Sequence, residues 1–192
     1  MKRVTAVLLF VATIAAAAPK TPETFYVYSD KGARTNHFAP SGWMGDYGDL
    51  QLKDGWTENC ADGRTCIKWV YTAEGKQGAN WAGVFWQQPP NNWGEKPGGF
   101  DLTGYKRLTF WAKAQDEAHI AEFKVGGING EHGDSDSQSI GPIDLTKDWK
   151  KYTIELADKD LKHIIGGFCF SASRDDNPKG YTLYLDEIRF EK

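Results

Sequence analysis

Long apolar runs, sulfur and clustered positive charge are all scarce in this 192-residue sequence. A single extended apolar run, Val4 to Ala18, falls short of the roughly 20 residues a helical bilayer crossing needs. No later run approaches it, which argues against membrane insertion of the remaining chain. The formal net charge is −3, with no basic stripe and no arginine cluster, so a partner recognised through a phosphate backbone is not expected. No GxSxG elbow, HExxH helix, phosphate-binding loop or dinucleotide fingerprint is present. The histidines His37, His119, His132 and His163 are dispersed without metal-ligand spacing, and His119 and His163 read as ordinary surface or packing residues. Helical patterning is also missing: only Asp158 to His163 suggests as much as one turn.

What is present begins with an export signal. Lys2 and Arg3 precede the apolar run, and small residues lead up to Pro19, so residues 1–18 read as a signal peptide cleaved near Ala18. No lipobox-like cysteine accompanies it. Residues 19–192 are then one domain, expected to be secreted or periplasmic. In that setting Cys60 and Cys66, bracketing the turn Ala61-Asp62-Gly63-Arg64-Thr65, are expected to form a disulfide. Cys169, within Gly166-Gly167-Phe168-Cys169-Phe170, reads as a buried small hydrophobe.

The apolar segments are short and punctuated by glycine, proline and asparagine. Candidate strands are Phe25 to Tyr28, Cys66 to Tyr71, Ala82 to Gln87, Arg107 to Lys113, Ile120 to Gly126, Lys151 to Leu156, Ile164 to Ser171 and Thr182 to Phe190. Several alternate with period two: Leu183 and Leu185 oppose Thr182, Tyr184 and Asp186, and Val84 and Trp86 oppose Phe85. Many turn-bounded strands of this kind predict an all-β fold, an antiparallel β-sandwich of jelly-roll type. The polar stretch Gly126 to Ser139 is the most evident long loop.

Aromatic residues are abundant, with eight tryptophans. Trp69 and Trp111 alternate within apolar strands and Trp149 leads a strand, so these three are expected to serve packing. Trp43, Trp86 and Trp93 lie near polar and turn-forming residues and are the candidate ligand-binding rings. A flat indole can stack on the C–H face of a sugar, and the neighbouring amides of Gln88, Asn91 and Asn92 can bond its hydroxyls. Glu131, His132, Asp134 and Asp136 form a second polar group. Asp30 and Asp186 are candidate ligands for a structural calcium if the first and last strands pair. Glu122 with Glu131, or Asp46 with Glu58, are the carboxylate pairs an acid–base mechanism would draw on.

The later strands carry a family resemblance. Asp148-Trp149-Lys150-Lys151-Tyr152-Thr153-Ile154-Glu155-Leu156, Leu161 to Phe170, Leu108-Thr109-Phe110-Trp111-Ala112 and the closing Tyr184-Leu185-Asp186-Glu187-Ile188-Arg189-Phe190 resemble the galactose-binding-like β-jelly rolls of many carbohydrate-binding modules. The resemblance implies a sandwich whose closing acidic residue often contributes to structural calcium. It specifies fold better than ligand. The leading expectation is non-catalytic binding of an extracellular polysaccharide or oligosaccharide, with no required cofactor. The alternatives are a polysaccharide-active enzyme, hydrolase or lyase, using a carboxylate pair, and a structural or protein-binding domain of the cell envelope.

Overall fold

The computed structural model describes residues 22–192; the expected signal peptide lies outside the described residues. Among them the chain forms thirteen strands: β1 (Thr24–Tyr28), β2 (Ala39–Gly45), β3 (Leu50–Trp56), β4 (Cys66–Tyr71), β5 (Trp81–Gln87), β6 (Arg107–Ala114), β7 (Ala118–Ile120), β8 (Glu122–Gly126), β9 (Ser137–Ile140), β10 (Ile143–Leu145), β11 (Lys150–Glu155), β12 (Gly166–Ser173) and β13 (Tyr181–Glu191). The one helical element among the described residues is a 3-10 turn at Tyr47–Asp49. Asp158 to His163 forms no helix. β2 and β3 were not anticipated, since Pro40, Gly42, Gly45 and Gly55 interrupt their apolar pattern. The expected strand from Ile120 to Gly126 is broken at Ala121 into β7 and β8.

The strands assemble antiparallel into two main sheets. One runs β11-β6-β13-β4-β3, with β1 paired to β13; the other runs β2-β5-β12-β8-β9; β10 and β7 make a small ribbon. The product is an all-β sandwich of jelly-roll type, as the strand pattern predicts. None of the described helices is long and apolar enough to cross a membrane.

Strand alternation sorts the rings. In the first sheet Ile67, Trp69, Tyr71, Leu108, Phe110, Leu183, Leu185 and Phe190 are buried; in the second, Val84, Trp86, Phe123, Phe168 and Phe170 are. Trp69 lies at the meeting of the two layers. Its ring is edge-on to Trp43 at 5.1 Å, to Trp86 at 6.0 Å and to Phe170 at 5.6 Å, within the range of favourable aromatic pairs.

One expectation about tryptophan is corrected here. Trp86 is 1% exposed and packs on Trp69, Phe168 and Phe170, so its faces are not open to a ligand. It shares a parity with Val84, which commits it to the interior. Trp69 is in the core as expected, while Trp111 and Trp149 are half-buried on the outside of the first sheet, Trp149 against Tyr184. Replacing Trp86 by alanine is therefore expected to destabilise the fold by about 3–5 kcal/mol in chemical denaturation. Unchanged stability in that variant would contradict its placement in the core.

Candidate functional site

The outer face of the β2-β5-β12-β8-β9 sheet is built from the residues of opposite parity to the core. One rung crosses four strands as Met44, Gly83, Ser171 and Glu122. The next runs Gly42, Phe85, Cys169, Lys124 and Ser139. At one end Trp81 sits opposite Ser173. Phe85, Ile128, Ile165 and Cys169 make a small second apolar cluster on this face, with Met44 against it. Around that cluster the outer shelf of the sheet carries Gly83, Ser171, Ser173 and Ser139 together with the longer Met44, Glu122 and Lys124.

Two indoles stand up from the shelf. Trp81 is 39% exposed and Trp93 is 40% exposed, while Trp93 packs edge-on to Phe85 at 6.1 Å. Trp81 and Phe85 are four residues apart on one strand, so these two ring positions are about 13 Å apart along β5. Glu122 and Lys124 form an ion pair on the shelf at 3.7 Å.

Each indole is presented by a braced loop. The carboxylate of Asp46, fully buried, accepts the backbone N–H groups of Gln77, Ala79 and Asn80, each at 2.9 Å, and the Asp46 N–H donates to the Trp81 carbonyl at 2.7 Å. These donors, that of Ala79 foremost, hold the Asp46 carboxyl below the usual carboxylate range. Asp49 accepts the Gly75 N–H at 2.6 Å and steadies the same turn. Gly45, with φ +62°, packs beneath the Trp81 carbonyl and indole, where any Cβ would collide.

On the other side, Asn92 is a brace rather than a ligand donor. It is 1% exposed; its Nδ2 donates to the Lys96 carbonyl at 2.8 Å, and its Oδ1 accepts from the Gly94 and Lys96 N–H groups at 3.2 Å. Gln88 is likewise engaged, its Oε1 accepting the Gly99 N–H at 2.6 Å. Asn91 is exposed beside Trp93, with its N–H donating to Ser41 Oγ at 2.9 Å. Trp43 is half-buried: its indole N–H donates to the Pro40 carbonyl and its ring lies against Trp69.

The segment around Trp93 docks on the loop after β8. The His132 N–H donates to the Gly94 carbonyl at 2.9 Å, and a Cβ on Gly94 would strike the Asn129 carbonyl. Asp134 organises that loop, accepting the Ile128, Ile165 and Gly166 N–H groups at 2.8, 2.6 and 3.0 Å. Burial raises its pKa against the opposing effect of those donors. The structure thus brings Trp93, Asn91 and His132 together, and adds Trp81. Trp81 was missed because it opens its strand next to Asn80, where parity alone does not tell inside from outside.

Asp30 and Asp186, the expected ion ligands, hold a loop. Asp30 Oδ1 accepts the Arg64 and Thr65 N–H groups at 2.8 and 2.7 Å. Asp186 Oδ2 accepts those of Ala61 and Asp62 at 2.9 and 3.0 Å, and its Oδ1 that of Glu187 at 2.9 Å. Backbone donors thus take Asp30 Oδ1 and both oxygens of Asp186, while Asp30 Oδ2 accepts none of them. The Cys60 and Cys66 sulfurs beside Asp186 are joined as a disulfide and offer no thiolate. Two of the carboxylates suggested for acid–base work have partners of their own. Asp46 is committed to its turn, and Glu122 is paired with Lys124.

No family model matches this chain, and no curated protein matches it in sequence. Solved structures do share its fold. The family 30 carbohydrate-binding module of a cellulosomal cellulase of Clostridium thermocellum has a TM-score of 0.57 at 15% identity, over 88% of this chain and 97% of that one. A further family 30 carbohydrate-binding module gives 0.56 at 14% identity, over 88% and 87%. An exo-β-agarase gives 0.52 at 13% identity, over 81% of this chain and 24% of that one. The chain is thus a β-sandwich with the architecture of carbohydrate-binding modules.

Two buried carboxylates give opposite pH signatures. Asp46, held low, stabilises the folded chain above the ordinary carboxyl value, and this is lost as pH falls through its folded pKa. Burial pushes Asp186 up from 3.8 to about 7, so its contribution is complete below 3.8 and is lost as pH rises through about 7. Thermal unfolding of wild type and D186N between pH 4 and 8 is expected to show the wild type gaining on the variant as pH falls. A pH-independent difference would contradict this.

Proposed function

We propose that this protein binds a polysaccharide without chemical turnover, on the shelf of the β2-β5-β12-β8-β9 sheet. Trp81 and Trp93 supply the stacking surfaces, and Asn91, Ser171 and Ser173 supply polar groups for hydroxyls. The observation that carries this reading is the pair of exposed indoles on one outer face, Trp81 opening β5 and Trp93 set against Phe85 of the same strand, with Gly83, Met44 and Ser171 between them. Exposed rings of this size, presented on loops braced by carboxylates, suit a flat ligand with apolar faces and polar edges.

The similarity in fold to carbohydrate-binding modules supports the same reading, and the cellulase setting of one of them suggests a β-linked glucan as first probe. Engagement of Asp46 and Glu122 elsewhere favours binding over turnover. The reading also has the protein exported: the Cys60–Cys66 disulfide and the expected leader at residues 1–18 both support it.

Trp81→Ala and Trp93→Ala are each expected to weaken binding to a soluble β-glucan about tenfold in affinity electrophoresis, with stability changed by no more than about 1 kcal/mol. Undiminished binding in the double variant would reject the shelf as the site.

A further inference from the structure

The opposite face of the molecule carries a second aromatic array, with a different character. A single rung across the β3, β4, β13 and β6 strands reads Lys53, Lys68, Tyr184 and Lys113. Trp56 and Trp149 flank it, 6.3 and 6.5 Å from the Tyr184 ring. The ammonium of Lys68 lies 4.1 Å from the Trp56 centroid and 5.6 Å from that of Tyr184. Lys113 is 5.0 Å from both Tyr184 and Trp149, and Lys53 is 5.8 Å from Trp56.

Lys53 and Lys68 are direct cross-strand partners, an arrangement in which like charges destabilise a sheet. Among the described residues neither they nor Lys113 form an ion pair. Nearby Asp54 is occupied by Lys31 at 2.9 Å, and Asp148 acts on Lys113 only at a distance. Lys113 is buried and donates to the Asn59 carbonyl at 3.4 Å, so it belongs to the packing. Lys53 is exposed and Lys68 half-exposed, and these two face solvent beside Trp56.

Cation–ring contacts hold both ammonium groups against one indole but supply no counter-charge. What the pair lacks is an anion, and the ring beside it supplies an apolar surface at the same place. We infer that Lys53, Lys68 and Trp56 form a second binding site, for an acidic polysaccharide whose carboxylate or sulfate ester bridges the two ammonium groups. The pair has no basic stripe or arginine cluster around it to follow a phosphate backbone, which favours a glycan anion over nucleic acid. This site lies on the other sheet from the Trp81–Trp93 shelf and does not depend on it.

The test is affinity electrophoresis of the full chain at low ionic strength, in gels containing polygalacturonate, fully methyl-esterified polygalacturonate, dextran sulfate or single-stranded DNA. Retardation by polygalacturonate, lost on esterification and in high salt, is expected. Dextran sulfate acting without polygalacturonate would identify the sulfate ester as the anion and also support the site. Lys53→Gln and Lys68→Gln, which keep most of each stem, are expected to weaken the interaction about tenfold each. Trp81→Ala is expected to leave it unchanged, so failure here is distinguishable from failure of the shelf. Lys53 is exposed, which makes Lys53→Gln readable even if Lys68→Gln perturbs packing. The inference is overturned if neither acidic glycan retards the protein, if the lysine variants are retarded as strongly as wild type, or if single-stranded DNA retards it equally.

Discussion

Strand parity is the constraint on which the rest of this structure depends. In a sandwich each ring on a strand is either between the sheets or outside them, and shifting by one residue exchanges the two sets. On β5 this separates Trp86, inside with Val84, from Trp81, outside with Phe85. On β4 it puts Trp69 at the centre of the core, where it meets rings from β2, β5 and β12. The rings between the layers fix the two sheets against each other. Those left outside are held on a rigid surface and lose little further freedom when a ligand arrives.

A second device recurs at the loops. Asp46, Asp134, Asp30 and Asp186 each accept two or three backbone N–H groups from a turn that lacks strand partners for them. A buried carboxylate is costly unless its lone pairs are satisfied, and a loop amide left without an acceptor is costly too. Each pairing offsets part of the first cost, removes the second and fixes one conformation of the turn. The turn before Trp81 and the loop supporting the Trp93 segment are ordered in this way. The two exposed indoles therefore depend on carboxylates that do not touch them.

Much of the architecture was readable from alternation and punctuation. β4 was delimited residue for residue, and the facing of Leu183, Leu185, Tyr184 and Asp186 on β13 follows directly from period two. Parity even separated Trp86 from Phe85; what it withheld was which face is the core, because β5 is apolar on both. The same ambiguity hid Trp111, whose neighbours in sequence are apolar but whose face is the outer one. Acidic residues were harder still. Asp30, Asp46 and Asp186 invite readings as ion ligands or catalytic groups, yet their partners are backbone amides from segments up to 125 residues away. Side-chain type records nothing of such partners.

The two outer faces differ in chemistry: one carries indoles over small and hydroxyl-bearing residues, the other indoles interleaved with lysine. The central claim is that a neutral glycan is read on the first of these. It is tested most directly by following the indole N–H resonances of the eight tryptophans by NMR while a β-glucan hexasaccharide is added. The account requires Trp81 and Trp93 to shift in a saturable way while Trp69 and Trp86 stay in place. Saturable shifts confined to other indoles, with Trp81 and Trp93 unmoved, would contradict it.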